Sequence, residues 1–141
     1  MRFGSQVART IDDHYREAIT LGNRVYTASH RGDHRLALSQ GRAALELHRG
    51  HGHHNQVPWV SIALSGVLGG LGMTEKATVP LAAAEQAAQR MLLEGMPGDV
   101  GENAEIRRSL QEAAGDKFHQ WYERGRSMSL DDALAILEHL D

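Results

Sequence analysis

Apolar residues recur every three or four positions in nearly every stretch that lies between the glycine and proline breaks of this chain. Strand-like alternation is scarce, so the pattern predicts an all-α protein of about six helices. The 141 residues suffice for one domain with a modest core and are too few for two. We therefore expect a single helical domain, 1–141, of three antiparallel hairpins at about residues 6–49, 57–94 and 102–140.

The first hairpin is predicted to pair a long helix over about 6–30 with a second helix that begins after Gly32. Asp33 supplies a side-chain acceptor for the first backbone amides of this second helix. The helix is expected to end at the break formed by Gly50 and Gly52. Its inward side is predicted to carry Ala37, Gly41, Ala44, Leu45 and His48.

The second hairpin is predicted from a helix over about 57–71 and an alanine-rich helix over about 75–94. Pro58 falls in the first turn of the former, where the missing amide hydrogen costs nothing. Gly72 and Thr74 are expected to supply the turn and the cap between the two helices. Pro80 is expected either to kink the second of these helices or to mark its beginning.

The last part of the chain is predicted to contain a fifth helix, unbroken from about 102 to 124, and a short sixth helix. Ser129 is the expected cap of the sixth helix, with Asp132 three residues later. The apolar stripe of the fifth helix is Ile106, Leu110, Ala113, Ala114, Phe118, Trp121 and Tyr122, and the sixth helix is expected to bury Leu130, Ala133, Leu134, Leu137 and Leu140.

An internal repeat appears when the chain is aligned with itself at an offset of 40 residues. The aligned pairs are Gly32 with Gly72, Ala37 with Ala77, Gly41 with Leu81, and Ala44 with Ala84. A turn glycine followed by small residues at these spacings resembles the tetratricopeptide repeat over about residues 15–94. The resemblance implies a right-handed array of helical hairpins. The alternative is an irregular helical bundle.

The tetratricopeptide resemblance implies that the first helix of each hairpin lines a concave face that binds a partner. That face would carry Tyr26, Ser29 and His30 in the first hairpin and Ile62, Gly66 and Gly69 in the second. Interior glycines cost about 1 kcal/mol each relative to alanine. We therefore expect another helix to pack very closely against Gly66 and Gly69, either the chain's own fifth helix or a partner's.

The function implied is that of a non-catalytic protein–protein interaction module with a scaffold or regulatory role. With two recognisable repeats and one divergent hairpin, apolar edges are expected to drive formation of a homodimer or a stable complex.

A histidine-rich loop supports an alternative function, that of a metal-binding helical protein. Four imidazoles fall within seven residues, at His48, His51, His53 and His54, next to flexible glycines. Imidazoles in such a loop suit zinc, nickel or copper(II), so these four are the candidate ligands. The competing interpretation is a polar loop without a physiological metal, and no other cofactor is expected.

A third alternative is a small helical enzyme with a pocket between hairpins. The chain contains no nucleophile elbow, phosphate-binding glycine loop or zinc-protease motif. Acid–base chemistry needs only a few groups that the fold brings together, and His14, His30 and His119 are the residues around which such a pocket is expected. The sequence therefore favours a non-enzyme and assigns no catalytic residue.

Composition narrows the partners and the compartment. Without cysteine, the chain forms no disulfide, no cysteine-ligated zinc site and no iron–sulfur cluster, which favours the cytoplasm. The start of the sequence lacks the apolar core of a signal peptide, and the apolar stretch 57–73 is too short and too diluted by glycine and serine to span a membrane. Residues 1–57 carry a net charge of +3 and the rest −6, and the isoelectric point near 6.3 argues against nucleic acid.

Overall fold

The structure is a computed structural model that describes residues 13, 16, 17, 20–52, 56–93 and 100–139. All regular secondary structure in these residues is helical, which confirms the all-α prediction. Residues 20–30 form the described part of the first helix, α1. The following elements are α2 (His34–Gly50), α3 (Val57–Gly70), α4 (Thr74–Leu93), α5 (Val100–Ala114), a 3-10 turn (Gly115–Lys117), α6 (Phe118–Arg126) and α7 (Leu130–Glu138).

The turns that connect α1 to α2 and α3 to α4 have the same backbone conformation. Gly32 and Gly72 adopt φ values of +80° and +82°, a left-handed conformation that glycine takes without steric cost. In both turns the amide after the glycine donates to the carbonyl five residues earlier, at 2.9 Å, and the glycine amide donates to the carbonyl three residues earlier. Both α1 and α3 thus end in the same glycine-based cap, 40 residues apart.

The repeated positions after each turn are buried. Asp33 accepts a hydrogen bond from the amide of Leu36 at 3.3 Å, as expected for the cap of α2. The inward side of α2 is confirmed at all five predicted positions. A Cβ on Gly41 would lie within 3.0 Å of two atoms of Leu64, so this glycine lets α2 approach α3 closely. The aligned pairs Ala37 with Ala77, Gly41 with Leu81, and Ala44 with Ala84 are all buried.

Helix α3 is the centre of the molecule, with α2, α4, α5 and α7 packed around it. Its only described polar side chains inside the core are Ser61 and Ser65, whose hydroxyls donate to the carbonyls of Val57 and Ser61 within the helix. The core formed by α3 and these helices contains Leu45, Ile62, Leu64, Leu68, Leu81, Leu134 and Leu137, each at most 2% exposed. No helix in the described ranges has the length and apolar character needed to cross a bilayer.

Helix α4 differs from the sequence prediction at its beginning. Thr74 is its first residue and Met73 occupies the position before it, so Thr74 is not the cap. Pro80 lies buried inside the helix and does not mark its beginning. The proline has no amide hydrogen to donate to the carbonyl of Lys76, four residues earlier. Burial among the surrounding helices keeps this segment helical in spite of the lost hydrogen bond.

The predicted unbroken helix over 102–124 is wrong, because α5 ends at Ala114 and a new helix begins at Phe118. Gly115 has φ +56° and begins the 3-10 turn that separates α5 from α6. After the break, α6 packs antiparallel to α4. Arg124 pairs with Glu75 at 2.7 Å, whereas Tyr122, which precedes Arg124 on α6, contacts Glu85, which follows Glu75 on α4. The apolar stripe predicted for one helix is thus divided between two.

Helix α7 closes the bundle. Ser129 accepts a hydrogen bond from the amide of Asp132 at 3.1 Å, which confirms the predicted cap. Arg42 and Arg49 of α2 both bond to Glu138, the former to its carbonyl oxygen and the latter to its carboxylate. Because the predicted fifth helix is divided into α5 and α6, the third unit consists of three helices rather than two. Ala133, Leu134 and Leu137 are buried as predicted, Leu130 is partly buried, and Leu140 lies outside the described residues.

Candidate functional site

A groove of about 300 Å³ runs between α1, α3 and α5, and we call it the glycine groove. Each of these helices is the first helix of its unit, so the groove belongs to one side of the bundle. Its lining residues are Val25, Tyr26, Ser29 and His30 on α1, Ala63, Gly66, Gly69 and Gly70 on α3, and Glu105, Ile106, Ser109, Leu110 and Ala113 on α5.

The floor of the glycine groove is formed where α5 packs directly on the backbone of α3. A Cβ on Gly66 would lie 3.0 Å from Ile106, and a Cβ on Gly69 would lie 2.8 Å from Leu110. Of the two expected occupants of this surface, the chain's own fifth helix is the one present. The residue numbers increase together along both helices, from Gly66 and Ile106 to Gly69 and Leu110, so α5 runs parallel to α3.

The α1 wall of the groove is anchored in the core and polar at its rim. Val25 is 1% exposed and packs against Ala63 and neighbouring residues. Tyr26 is half-buried, and Ser29 and His30 follow one turn later on the same side of the helix. The groove therefore has an apolar lower part, while hydroxyl, imidazole and carboxylate groups stand at its edge.

Five of the six residues predicted to bind a partner line this groove: Tyr26, Ser29, His30, Gly66 and Gly69. The sixth, Ile62, is fully buried in the core and offers no surface, because α3 is covered on several sides. The α5 residues Glu105, Ser109 and Ala113 were not predicted as part of the surface. In the sequence, these three positions look like part of an ordinary amphipathic helix. Only the packing of α5 on α3 places them at the groove.

The proposed metal-binding loop is only partly described. His48 is fully buried in the last turn of α2, while His51 is exposed just after it. His53 and His54 lie outside the described residues. Among the residues that are described, no group of three or more histidine, aspartate or glutamate side chains is arranged to hold a metal ion.

The histidines considered for acid–base chemistry are not brought together where they are described. His30 stands at the rim of the glycine groove, whereas His119 is exposed on α6. His14 lies outside the described residues. His34 instead packs its imidazole over the backbone of Gly70, so it joins the two repeated turns.

A second cavity, of about 520 Å³, lies between α4, α5 and α6, and we call it the polar cavity. Trp59 of α3 forms part of its wall. The other lining residues are Ala82, Glu85, Gln86, Ala88, Gln89 and Leu92 on α4, Asn103, Ala104 and Arg107 on α5, and Tyr122 and Arg126 on α6.

Glu85 is the centre of a three-helix polar network in this cavity. Its side chain is 9% exposed. Nε of Arg107 donates to Oε1 and Oε2 at 3.1 and 2.9 Å, and Nη2 of the same guanidinium donates to Oε2. The hydroxyl of Tyr122 donates to Oε1 at 3.3 Å. A carboxylate on α4 thus ties α5 and α6 to it with charge-assisted hydrogen bonds.

The network raises the pKa of two of its members, Arg107 and Tyr122. Hydrogen bonding to Glu85 raises the pKa of the Arg107 guanidinium above its usual value. Burial raises the pKa of Tyr122 above its usual 10, and the negative charge of Glu85 raises it further. Near neutral pH, Tyr122 is therefore a protonated hydrogen-bond donor rather than a base. Phe118 stacks on its ring with centroids 5.2 Å apart, which holds the ring in place.

The sequence analysis did not identify the polar cavity. The one feature of the sequence that pointed to this cavity was Glu85, a lone acidic residue within an alanine-rich stretch that is typical of a buried helix. Its partners lie 22 and 37 residues further along the chain. They meet because the break at Gly115 separates α6 from α5 and α6 packs on α4.

Comparisons with protein-family models, with curated proteins and with solved structures found no significant match to this chain.

Proposed function

We propose that the chain is a non-catalytic interaction module that binds a short segment of a partner protein in the glycine groove. One observation carries the proposal: the first helices of three successive units line a single groove, and five residues predicted from the repeat pattern lie in it. The resemblance to tetratricopeptide repeats supports the same interpretation, since that family binds partners on the equivalent side of its hairpins.

The shape and chemistry of the groove indicate what kind of segment it binds. Its volume of about 300 Å³ is at the lower end of the range for ligand sites, so it admits a short segment rather than a folded surface. The floor is apolar, because Ile106 and Leu110 of α5 cover Gly66 and Gly69, so it suits an apolar side chain of the partner. Ser29 and Ser109 at the edge offer hydroxyl groups to the partner's backbone.

The proposal is tested by selecting peptides from a random display library against the full chain. The selected peptides are then measured with two matched variants, Ser109→Trp and Ser39→Trp. Ser109 is an exposed groove residue of α5, whereas Ser39 is an exposed residue of α2 that does not line the groove. We expect Ser109→Trp to weaken binding at least about tenfold and Ser39→Trp to leave it unchanged, because an indole at the first position fills the groove.

Equal binding by both variants, or a selection that yields no binding peptide, would refute this function. The partner is either another protein or a second copy of the chain, as a homodimer. Light scattering at micromolar concentration separates these: a dimer that Ser109→Trp converts to a monomer identifies self-association through the groove. We propose the cytoplasm as the location, since a chain without cysteine gains nothing from an oxidising compartment.

A further inference from the structure

The polar cavity carries more positive than negative charge. Two arginines, Arg107 and Arg126, line it, whereas Glu85 is the one acidic residue among its described lining residues. Both carboxylate oxygens of Glu85 already accept hydrogen bonds, from Arg107 and Tyr122. Two guanidinium groups against one carboxylate leave one positive charge in excess. The cavity therefore favours an anion over a neutral or cationic ligand.

The guanidinium of Arg107 is only partly occupied by Glu85. Its Nε and Nη2 atoms donate to the carboxylate, while its Nη1 atom donates to no residue in the described part of the chain. A guanidinium has five N–H donors in a rigid fork. The side chain of Arg107 is 46% exposed, so the donors on Nη1 are accessible to an acceptor from outside the chain.

Arg126 provides the second guanidinium. It makes one ion pair, with Glu123 at 3.3 Å, in which both side chains are at least half exposed. A solvent-exposed pair of this kind is weak. A carboxylate that accepts two parallel hydrogen bonds from a guanidinium competes well with it. The exposed amide groups of Gln86 and Gln89 line the same cavity and add further donors.

The two arginines act on the same place in the cavity, the hydroxyl of Tyr122. Burial and the negative charge of Glu85 raise the pKa of this hydroxyl, whereas the positive charges of Arg107 and Arg126 each lower it. Interactions between charges weaken with distance, so both guanidinium groups lie near this hydroxyl. An anion that enters the cavity beside Tyr122 is thus attracted by two positive charges at once.

Along α4, the lining of the cavity changes from polar to apolar. Gly125 packs against Ala82, so the backbone of the next residue, Arg126, lies near the beginning of the cavity on α4. Leu92 lines the cavity ten residues after Ala82, about 15 Å further along the same helix. Leu92 is 38% exposed, and the partly exposed indole of Trp59 also lines the cavity. The cavity therefore offers apolar surface to a ligand in addition to its cations.

From this arrangement we propose that the polar cavity binds a small carboxylate that has a flat apolar body. The carboxylate accepts hydrogen bonds from Arg107 and Arg126, and the apolar body packs against Trp59 and Leu92. The single negative charge of such a ligand balances the one positive charge in excess. The volume of about 520 Å³ lies within the range of small-molecule sites.

The test is calorimetric titration of the full chain with naphthoate as the probe. We expect a dissociation constant below about 1 mM. Naphthamide has the same rings without the charge, and we expect it to bind about tenfold more weakly because it forms no charge-assisted hydrogen bond. Acetate has the charge without the rings, and we expect no binding of acetate at about 5 mM.

Two variants on α6 test the contact with the carboxylate. Arg126→Gln is expected to weaken the binding of naphthoate about tenfold and to leave the binding of naphthamide unchanged. Arg124→Gln is the matched control, because Arg124 is exposed on the same helix, pairs with Glu75 and does not line the cavity. We expect this control to bind both probes as the wild type does.

Two variants at the end of α4 test the contact with the apolar body. Leu92→Ala removes apolar surface from the cavity, so we expect it to weaken the binding of naphthoate and of naphthamide equally, by about fivefold. Leu93→Ala is the matched control, because Leu93 is 82% exposed and does not line the cavity. We expect this control to leave both dissociation constants unchanged.

The proposal is overturned if naphthoate does not bind at about 5 mM, or if naphthamide binds equally well. Binding of naphthoate that neither Arg126→Gln nor Leu92→Ala weakens would place the ligand elsewhere and overturn it too. Inorganic phosphate that binds more tightly than naphthoate would show a site for a plain oxyanion instead. The Ser109→Trp variant of the glycine groove is expected to bind naphthoate normally, so the two sites succeed or fail separately.

Discussion

Gly125 of α6 lies directly against the backbone carbonyl of Val79 in α4. A Cβ at Gly125 would stand well under 3.0 Å from that oxygen and 2.8 Å from the Cβ of Ala82. No side chain separates the two helices at this point, so their backbones are in contact. This close approach sets the distance between α4 and α6, and it holds Tyr122, one turn earlier, within hydrogen-bond distance of Glu85.

The contact predicts that Gly125→Ala is one of the most destabilising alanine substitutions in the chain. The added methyl group meets backbone atoms, which cannot rotate away, so we expect a loss of more than about 3 kcal/mol in the free energy of unfolding. Urea denaturation followed by circular dichroism measures this. Gly50→Ala is the control, since a Cβ there meets nothing within 4 Å. A similar effect of both substitutions would show that α6 does not pack on α4 in this way.

The Glu85–Arg107 pair is predicted to contribute more to stability than the Glu75–Arg124 pair. Glu85 is 9% exposed and receives several hydrogen bonds, whereas both members of the second pair are about half exposed. Double-mutant cycles to alanine measure the coupling energy within each pair. Hydrogen bonds to charged groups contribute about 1.5–3 kcal/mol, and we expect the first pair near the lower end of this range because Arg107 is partly exposed. For the second pair we expect a coupling energy below about 1 kcal/mol. Equal coupling energies in the two cycles would contradict the buried network.

The pH dependence of stability is predicted to contain a contribution from Tyr122 in the alkaline range. Its pKa in the folded state is raised above the ordinary value of 10. The folded state therefore holds this proton more tightly than the unfolded state, and the resulting stability is complete below pH 10 and lost as the pH rises through the folded-state pKa. Urea denaturation across this range is expected to show a steeper fall for the wild type than for Tyr122→Phe. Parallel curves would refute the shift.

Gly66 and Ile106 are predicted to be energetically coupled. Gly66→Ala forces Ile106 to move, since the new Cβ would lie 3.0 Å from its Cγ1 atom. We expect a cost of about 1–3 kcal/mol from overpacking, which outweighs the gain in helix propensity. Combining Gly66→Ala with Ile106→Val is expected to recover part of the loss, because the smaller side chain removes Cδ1 from the contact. Strict additivity of the two substitutions would show that α5 does not rest on this glycine.

The cap of α7 gives a smaller predicted effect. The Ser129 hydroxyl accepts a hydrogen bond from the Asp132 amide, so Ser129→Ala leaves that amide without its partner. We expect a loss of about 1 kcal/mol, and Ser129→Asp is expected to retain most of the stability because a carboxylate also caps. Thermal unfolding of the three proteins measures the difference. An alanine variant as stable as the wild type would mean that the cap contributes nothing.

The sequence by itself determined most of the local structure. Asp33, Pro58 and Ser129 lie at helix beginnings as predicted, and the turns at Gly32 and Gly72 repeat because each needs a left-handed residue after an apolar helix. The inward side of α2 follows from helical spacing alone. Interior glycines in α3 correctly indicated a closely packed helix. All of these features depend on neighbours within a few residues, and such signals are readable in one sequence.

Only the tertiary structure decided where the long-range contacts fall. Nothing in the spacing shows that Gly115 divides the predicted fifth helix, because an isolated glycine is tolerated within many helices. Pro80 remains inside α4 because packing around it outweighs a lost hydrogen bond. Ile62 is in the core rather than the groove because other helices enclose α3 on several sides. Glu85 contacts Arg107 and Tyr122 through the same kind of packing. These residues lie far apart in the sequence, so no local pattern predicts the contact between them.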